Sequence, residues 1–299
     1  MIVVPAGELL PNAALLVRGL LFAAVVATCV VTPLRAQPRQ PAAARLDVPY
    51  VPTNQPTVEA MLRVANVGPG DFVIDLGSGD GRILITAARL HGARGFGVDI
   101  DPQRVKEGTE NARAAGVADR VNFFHRNLFD TKIAEATVVT LYLLPRVNLE
   151  LRPRLLAELR PGTRVVSHDF DMGDWQADLK MNVRGAGSDI YFWVVPARVA
   201  GRWRVQAATL RGAESFEIDF KQQYQDIEAV VRGLERRVYV RDARLDGGRI
   251  AFTVVDEGDF AHRVRFEGRV HGDTIEGGAL EDKAAPRGEH KWRAVRATP

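Results

Sequence analysis

Two acidic residues, Asp75 and Asp99, stand at the ends of short apolar runs, and the first is followed, after Leu76, by Gly77-Ser78-Gly79-Asp80-Gly81. A carboxylate at the end of a buried strand attracts hydroxyl and ammonium donors. Glycines without Cβ atoms let the backbone turn sharply, adopt positive φ and approach a ligand closely. Asp75 is placed to meet a positively charged amino group, directly or through water. Asp99 stands about 20 positions beyond the glycine bend, where a carboxylate accepts hydrogen bonds from both hydroxyls of a ribose. Ile100 then offers an apolar face for a base, and Asn127 follows a third apolar run.

These residues need elements to hold them. Residues 57–67 carry apolar side chains at helical spacing, with Thr57 as a cap and Gly68-Pro69-Gly70 as a stop. Phe72-Val73-Ile74-Asp75-Leu76 reads as a buried parallel strand, and residues 82–90 as the helix after the glycine bend. The start of that helix directs unpaired N–H groups into the bend, where an anion is favoured. Gly95-Phe96-Gly97-Val98-Asp99 is a second strand, Pro102 opens a helix that stops at Gly116, and Val121 to His125 is a third strand. Ligands of open α/β sheets sit at such carboxyl ends.

The bend separates cofactors. A dinucleotide fingerprint is G-x-G-x-x-G; here the spacing is G-x-G-x-G, and Asp80 would repel a pyrophosphate more than a single carboxylate. A nucleoside joined to a zwitterionic amino acid, S-adenosyl-L-methionine (AdoMet), fits better than NAD.

The segments VIDLGSGDGRI, GVDIDPQRV and ATVVTLYLLP resemble class I AdoMet-dependent methyltransferases. With the upstream YVPT, DLGSGDGR is similar to the group holding the ATP synthase c-subunit lysine methyltransferase and its bacterial relatives, over about residues 46–196. The resemblance implies an α/β fold, a Rossmann-like seven-stranded sheet, with Asp75, Gly77, Ser78, Gly79 and Gly81 around the methionine portion. It also implies Asp99 at the ribose, Ile100 against adenine and Asn127 near its exocyclic amine. Relatives usually show Asp where this chain has Asn127; an Asn still accepts through its carbonyl oxygen if suitably flipped. Tyr50-Val51-Pro52-Thr53 resembles a lid over the cofactor, or reads as a plain extended connector.

Residues 136–144 form a fourth β-prone run whose end, with Tyr142, should face the transferred methyl. Residues 146–159 read as a helix, Arg164 to Val166 begin a fifth strand, and Ser167-His168-Asp169-Phe170-Asp171 falls at the ligand edge. The Pro-Pro-aromatic motif of many amino methyltransferases is absent there. Asp169 and Tyr142 are the candidate catalytic residues: the first to bind an incoming ammonium, the second to shape or orient the acceptor. Residues 177–184 and 189–195 around Gly185-Ala186-Gly187 read as a β-hairpin.

The single cysteine, Cys29, lies in the N-terminal apolar stretch, so a cysteine nucleophile or thiolate metal site is excluded from the rest. The six histidines lack zinc spacing and read as surface or strand-end residues. A net charge of +3, from 40 Lys and Arg against 37 Asp and Glu, argues against a nucleic-acid partner. Residues 1–36 read as a signal peptide or membrane anchor, giving either an exported, periplasmic protein or a membrane-anchored one. Residues 37–49 form a linker, and 50–197 the AdoMet-binding domain. Residues 198–299 alternate at period two between glycine-rich turns, as a small antiparallel β-barrel or sandwich does. Trp203 and Trp292 resemble the plugging tryptophans of lipocalin-like barrels.

Three functions fit: a methyltransferase acting on protein lysine, one acting on a small molecule or lipid, and a non-catalytic exported AdoMet-fold binding protein. Export would separate the chain from the cytoplasm, where AdoMet is made.

Overall fold

The computed structural model describes residues 50–209, 212–281 and 290–297. The expected signal or anchor at 1–36 and the linker at 37–49 lie outside the described residues. Helix α1 (Gln55–Val64) is capped by Asn54, whose side-chain oxygen accepts from the Thr57 N–H at 2.9 Å. Thr57, expected as the cap, is instead fully buried in the first turn. Proline in that turn fixes helical φ early, so the helix starts before its apolar stripe does.

Strand β1 (Phe72–Leu76) leads through the glycine bend to α2 (Arg82–His91), then to β2 (Arg94–Asp99), α3 (Pro102–Ala114) and β3 (Val121–His125). Asp101 caps α3 by accepting from the Gln103 N–H at 2.8 Å, with Pro102 at the first helical position. Strand β4 (Val138–Leu141) is shorter than the apolar run suggests. Leu144 is held extended before Pro145, which opens α4 (Pro145–Glu158), so residues 142–144 leave the sheet. Strands β5 (Arg164–His168), β6 (Leu179–Val183) and β7 (Ser188–Val194) complete the sheet.

The sheet order is β3-β2-β1-β4-β5-β7-β6. Neighbours among β1 to β5 run parallel, and β7 is antiparallel to both β5 and β6, as a hairpin return requires. Separate apolar cores cover its two faces. One joins α1 and α2 to the sheet through Met61, Leu62 and Leu84; the other holds Leu151 and Leu155 of α4 with Trp175 and Trp193.

The remaining strands, β8 (Gly201–Thr209), β9 (Gly212–Gln223), β10 (Asp226–Arg232), β11 (Val238–Asp246), β12 (Arg249–Asp256), β13 (Arg263–His271), β14 (Thr274–Glu281) and β15 (His290–Arg296), form one antiparallel sheet. Its order, β10-β9-β8-β15-β14-β13-β12-β11, brings the edge strands β10 and β11 side by side, so the sheet curls into a nearly closed barrel. Phe216, Phe220, Phe252, Phe266, Trp203 and Trp292 fill its interior. Both tryptophans act by packing: Phe252 and Phe266 stack at 5.0 Å, and Trp292 meets each edge-on. The β9–β10 turn bonds to the segment after β5. Trp175 Nε1 donates to Gln225 Oε1 at 3.0 Å, and Tyr224 donates to Asp174 at 2.9 Å.

Candidate active site

The chain runs outward from β1 through β2 to β3, then returns to place β4 on the other side of β1. Such a reversal opens a crevice at the carboxyl ends of the two central strands. A cleft lies there, and Gly77, Ser78, Gly79, Asp99, Ile100, Asn127 and Tyr142 stand on its wall.

Gly77 and Gly79 have φ of +84° and +53°. A Cβ on Gly77 would reach 2.7 Å from Leu143, and one on Gly79 2.6 Å from the Tyr50 ring. Gly79→Ala is expected to weaken AdoMet binding by about 1–2 kcal/mol, from the cost of left-handed backbone and the displaced Tyr50. Titration calorimetry of the variant checks this; unchanged affinity would show that the bend does not carry the ligand.

Asp99 presents a fixed carboxylate. Its Oδ2 accepts from the Gly79 N–H at 2.8 Å and its Oδ1 from the Asp101 N–H at 2.9 Å. Each oxygen keeps further acceptor capacity for a hydroxyl. Ser78 Oγ is buried beside Gly97 and has no hydrogen-bond partner among the described residues, so the bend holds one orphaned polar atom. Asn127 is exposed, and its Oδ1 accepts from the Phe129 N–H at 2.9 Å, capping the turn Leu128–Asp130. The flip that would offer this oxygen to an adenine amine therefore competes with the cap.

Three expected site residues are off the wall. Asp75 is 1% exposed and lies beneath the bend, so of the two contacts expected of it, direct or through water, the structure does not present the direct one. Thr140 donates to its Oδ1 at 2.7 Å, while Oδ2 has no hydrogen-bond partner among the described residues. Burial, opposed by the Thr140 bond and aided by the charges of Asp99 and Asp80, pushes its carboxyl up to about 7. Gly81 is there for packing, since a Cβ would strike the Phe123 ring and come within 3.2 Å of Gly108. Asp169 sits behind His168. Its Oδ1 accepts from the Asp189 N–H at 2.8 Å, and its own N–H donates to the Asp189 carbonyl at 2.7 Å. This reciprocal pair holds Asp169 at φ +62° and turns it away from the cleft.

Asp80 is also not the free charge that its place in the bend suggests. Arg82 Nη2 lies 2.6 Å from its Oδ2, and the Arg82 N–H donates to its Oδ1 at 3.2 Å. Burial works to raise this carboxyl, but the Arg82 bonds and charge prevail and hold it below its ordinary value. The anion at the start of α2 is thus the chain's own Asp80, and its repulsion of a pyrophosphate is weakened by Arg82.

The 50–53 segment crosses the cleft and is tied at both ends. The Arg104 guanidinium lies 4.4 Å above the Tyr50 ring, and Arg82 Nη1 donates to the Thr53 carbonyl at 2.8 Å. Thr53 Oγ1 lies 3.0 Å from His168 Nδ1. His168 Nε2 is 3.3 Å from Asp169 Oδ2, and the Tyr142 ring lies on the imidazole at 3.8 Å. His168 is 3% exposed and His262 5%, so neither is a surface histidine. Burial lowers the His168 pKa despite the opposing charge of Asp169, which keeps the ring neutral at neutral pH. Burial, then Asp169, raises the Tyr142 hydroxyl.

Sequence reasoning missed Arg82 and Arg104, placed His168 at the ligand edge without a role, and took Thr53 only as part of a lid or connector. Only His168 left a signal, as a polar residue directly after the apolar run of the fifth strand. Among the described residues no group of three or more His, Cys, Asp or Glu gathers to hold a metal, and no helix is long and apolar enough to cross a membrane.

The wall suits AdoMet. The unpartnered Ser78 hydroxyl, the bare bend and the oriented Asp99 carboxylate match a ligand with a polar amino-acid end and a ribose. The ANTKMT methyltransferase domain model matches residues 75–179, from the glycine bend through β5. A protein-lysine N-methyltransferase from Saccharolobus islandicus is 43% identical over 151 residues, 50% of this chain and 94% of that protein. The lysine N-methyltransferase of the ATP synthase c-subunit from Homo sapiens is 29% identical, over 68% of this chain and 79% of that one. Among solved structures, an RNA methyltransferase from Salinibacter ruber in complex with S-adenosyl-L-homocysteine is 55% identical. It covers 50% of this chain and 96% of its own, with a TM-score of 0.48. Strands β8 to β15 lie beyond the residues that the family model matches. With nearly the whole of a 43%-identical relative aligned along it, the chain belongs to the AdoMet-dependent methyltransferases with the ANTKMT methyltransferase domain.

Proposed function

We propose that this methyltransferase acts on the ε-amino group of a protein lysine. The observation that carries the reading is kinship: the relative sharing 43% identity over 94% of its own length is named a protein-lysine N-methyltransferase. An adenine nucleotide translocase lysine N-methyltransferase of Mus musculus, 35% identical over 145 residues, adds support.

AdoMet, when bound, supplies a methyl group on a positively charged sulfur. The 77–79 bend and Ser78 hold its amino-acid end, and Asp99 holds the ribose through the lone pairs that Gly79 and Asp101 leave unused. Asp75 contributes charge from beneath the bend, acting through water or the field it creates. The 50–53 segment covers the cleft and excludes water. Alignment of acceptor with methyl supplies most of the rate in such a transfer, so wall rigidity matters more than acid–base strength. Tyr142, braced on His168, is the wall residue that sets the acceptor's approach.

The test is to incubate extract from cells lacking this protein with the purified chain and methyl-labelled AdoMet. Label is expected in protein, on lysine after hydrolysis, and strongly reduced with Asp99→Ala at AdoMet concentrations below saturation. Label in the lipid extract, in nuclease-sensitive material or in small molecules would overturn the lysine reading.

A further inference from the structure

We propose that Thr53, His168 and Asp169 form a proton exit that deprotonates an ammonium acceptor before methyl transfer. This rests on the amine-acceptor reading above. A lysine carries a proton up to a pKa of about 10.4 in water, and a protonated nitrogen has no lone pair to offer. A lysine methyltransferase therefore needs somewhere for that proton to go.

The geometry places three groups in series between the cleft and solvent. Thr53 lines the cleft, and its Oγ1 lies 3.0 Å from His168 Nδ1. Asp169 Oδ2 lies 3.3 Å from the far nitrogen of the same ring. The charge of the carboxylate favours the tautomer with the proton on Nε2, although that nitrogen makes no hydrogen bond among the described residues, and a proton there leaves Nδ1 to accept from the Thr53 hydroxyl. The ring is buried, whereas the Asp169 side chain is 33% exposed, so a proton that reaches it can leave to water.

The step balances as follows. The acceptor ammonium gives a proton to Thr53 Oγ as the Thr53 hydroxyl proton passes to His168 Nδ1. The imidazolium formed is paired with the Asp169 carboxylate and releases its Nε2 proton through it to solvent. The acceptor nitrogen, now neutral, uses its lone pair to form the bond to the methyl carbon as the carbon–sulfur bond breaks, giving a methylammonium and a thioether.

The groups around the imidazole allow this. Tyr142 faces it from just past β4 and Thr53 from the segment before α1; Asp169 follows it just past β5. One step further, Asp189 of β7 holds Asp169 through backbone bonds and pairs with Lys180 of β6 at 3.0 Å. Lys180 thus meets the carboxylate of Asp189 before any cationic form of the ring.

The test uses the full chain, saturating labelled AdoMet and the same extract as acceptor, with label counted in lysine from pH 6.5 to pH 10. His168→Gln, which keeps a polar side chain in place but cannot take up a proton near neutral pH, should slow labelling about 100-fold there, the size expected of a general base. The deficit should shrink towards pH 10, where the acceptor loses its proton unaided. Thr53→Val should show the same closing gap, and Thr53→Ser should restore the natural profile. AdoMet affinity, titrated separately, should stay unchanged. A constant loss at every pH, or no loss, would overturn the exit while leaving lysine methylation intact. If His168→Gln fails to bind AdoMet, the Thr53→Val and Thr53→Ser pair decides alone. Absence of label in lysine from the natural chain would instead sink the amine reading, and the exit with it.

Discussion

A chain carrying Asp75→Asn should show nearly flat stability between pH 4 and pH 7, where the natural chain, without AdoMet, steadily loses stability. In the unfolded chain this carboxyl ionises near its ordinary value of 3.8, whereas in the folded protein burial holds the proton to about 7. Between those values the folded state binds more protons than the unfolded state, so stability falls as pH rises. The contribution is fully present below the unfolded value and lost as pH passes the folded one. At about 1.4 kcal/mol for each pH unit between them, the difference approaches 4 kcal/mol. Asparagine keeps the oxygen that accepts from Thr140 and has no proton to lose. Denaturant titrations at four or five pH values decide the matter; parallel profiles for the two chains would show that Asp75 is not the group responsible. The same carboxyl should respond to the cofactor. An ammonium nearby favours the ionised form, so AdoMet binding near pH 6 should release a proton, seen as a dependence of the calorimetric heat on the buffer used.

Asp99→Ala should weaken AdoMet binding by about 1.5–3 kcal/mol, the value of charged hydrogen bonds, which is roughly a 10- to 150-fold rise in Kd. Two effects combine. The ribose loses its carboxylate, and the Gly79 N–H loses the partner that fixes the bend, as does the Asp101 N–H at the start of α3. Asp99→Asn retains one acceptor oxygen and should fall between the two chains. The distinction is measurable, because a change confined to ribose contact would leave binding of free methionine unaltered, whereas a loosened bend would weaken that as well. Affinity equal to that of the natural chain in Asp99→Ala would remove Asp99 from the site.

Much of the cofactor side was legible because its logic is local. Asp75, the 77–81 glycines and Asp99 sit within 25 residues of one another, and each derives its place from immediate neighbours. An apolar run makes a strand, a glycine bend ends it, and an acidic residue marks the edge. The hairpin of β6 and β7 was legible for the same reason, through Gly185 and Gly187. The alternation along β12 and β13 announced the antiparallel barrel, with Phe252 and Phe266 inward and Arg263 and Arg265 outward.

What failed was any statement about the partner a side chain would choose. Thr57 looked like a cap, but Asn54 reached the N–H first. Asp80 looked like a free anion, yet Arg82 neutralises it. Asp169 looked aimed at an acceptor, but its backbone bonds to Asp189 turn it aside. Sequence by itself determined the order of strands and helices, the bend and the chemistry of its ligand, since periodicity and glycine content depend on residues a few places apart. Tertiary structure alone decided that Thr53 meets His168 across 115 positions and that Asp75 is buried. The reason is physical: hydrogen-bond partners and desolvation depend on which strand ends lie side by side, and the sheet order that sets this is fixed only once the whole core has packed.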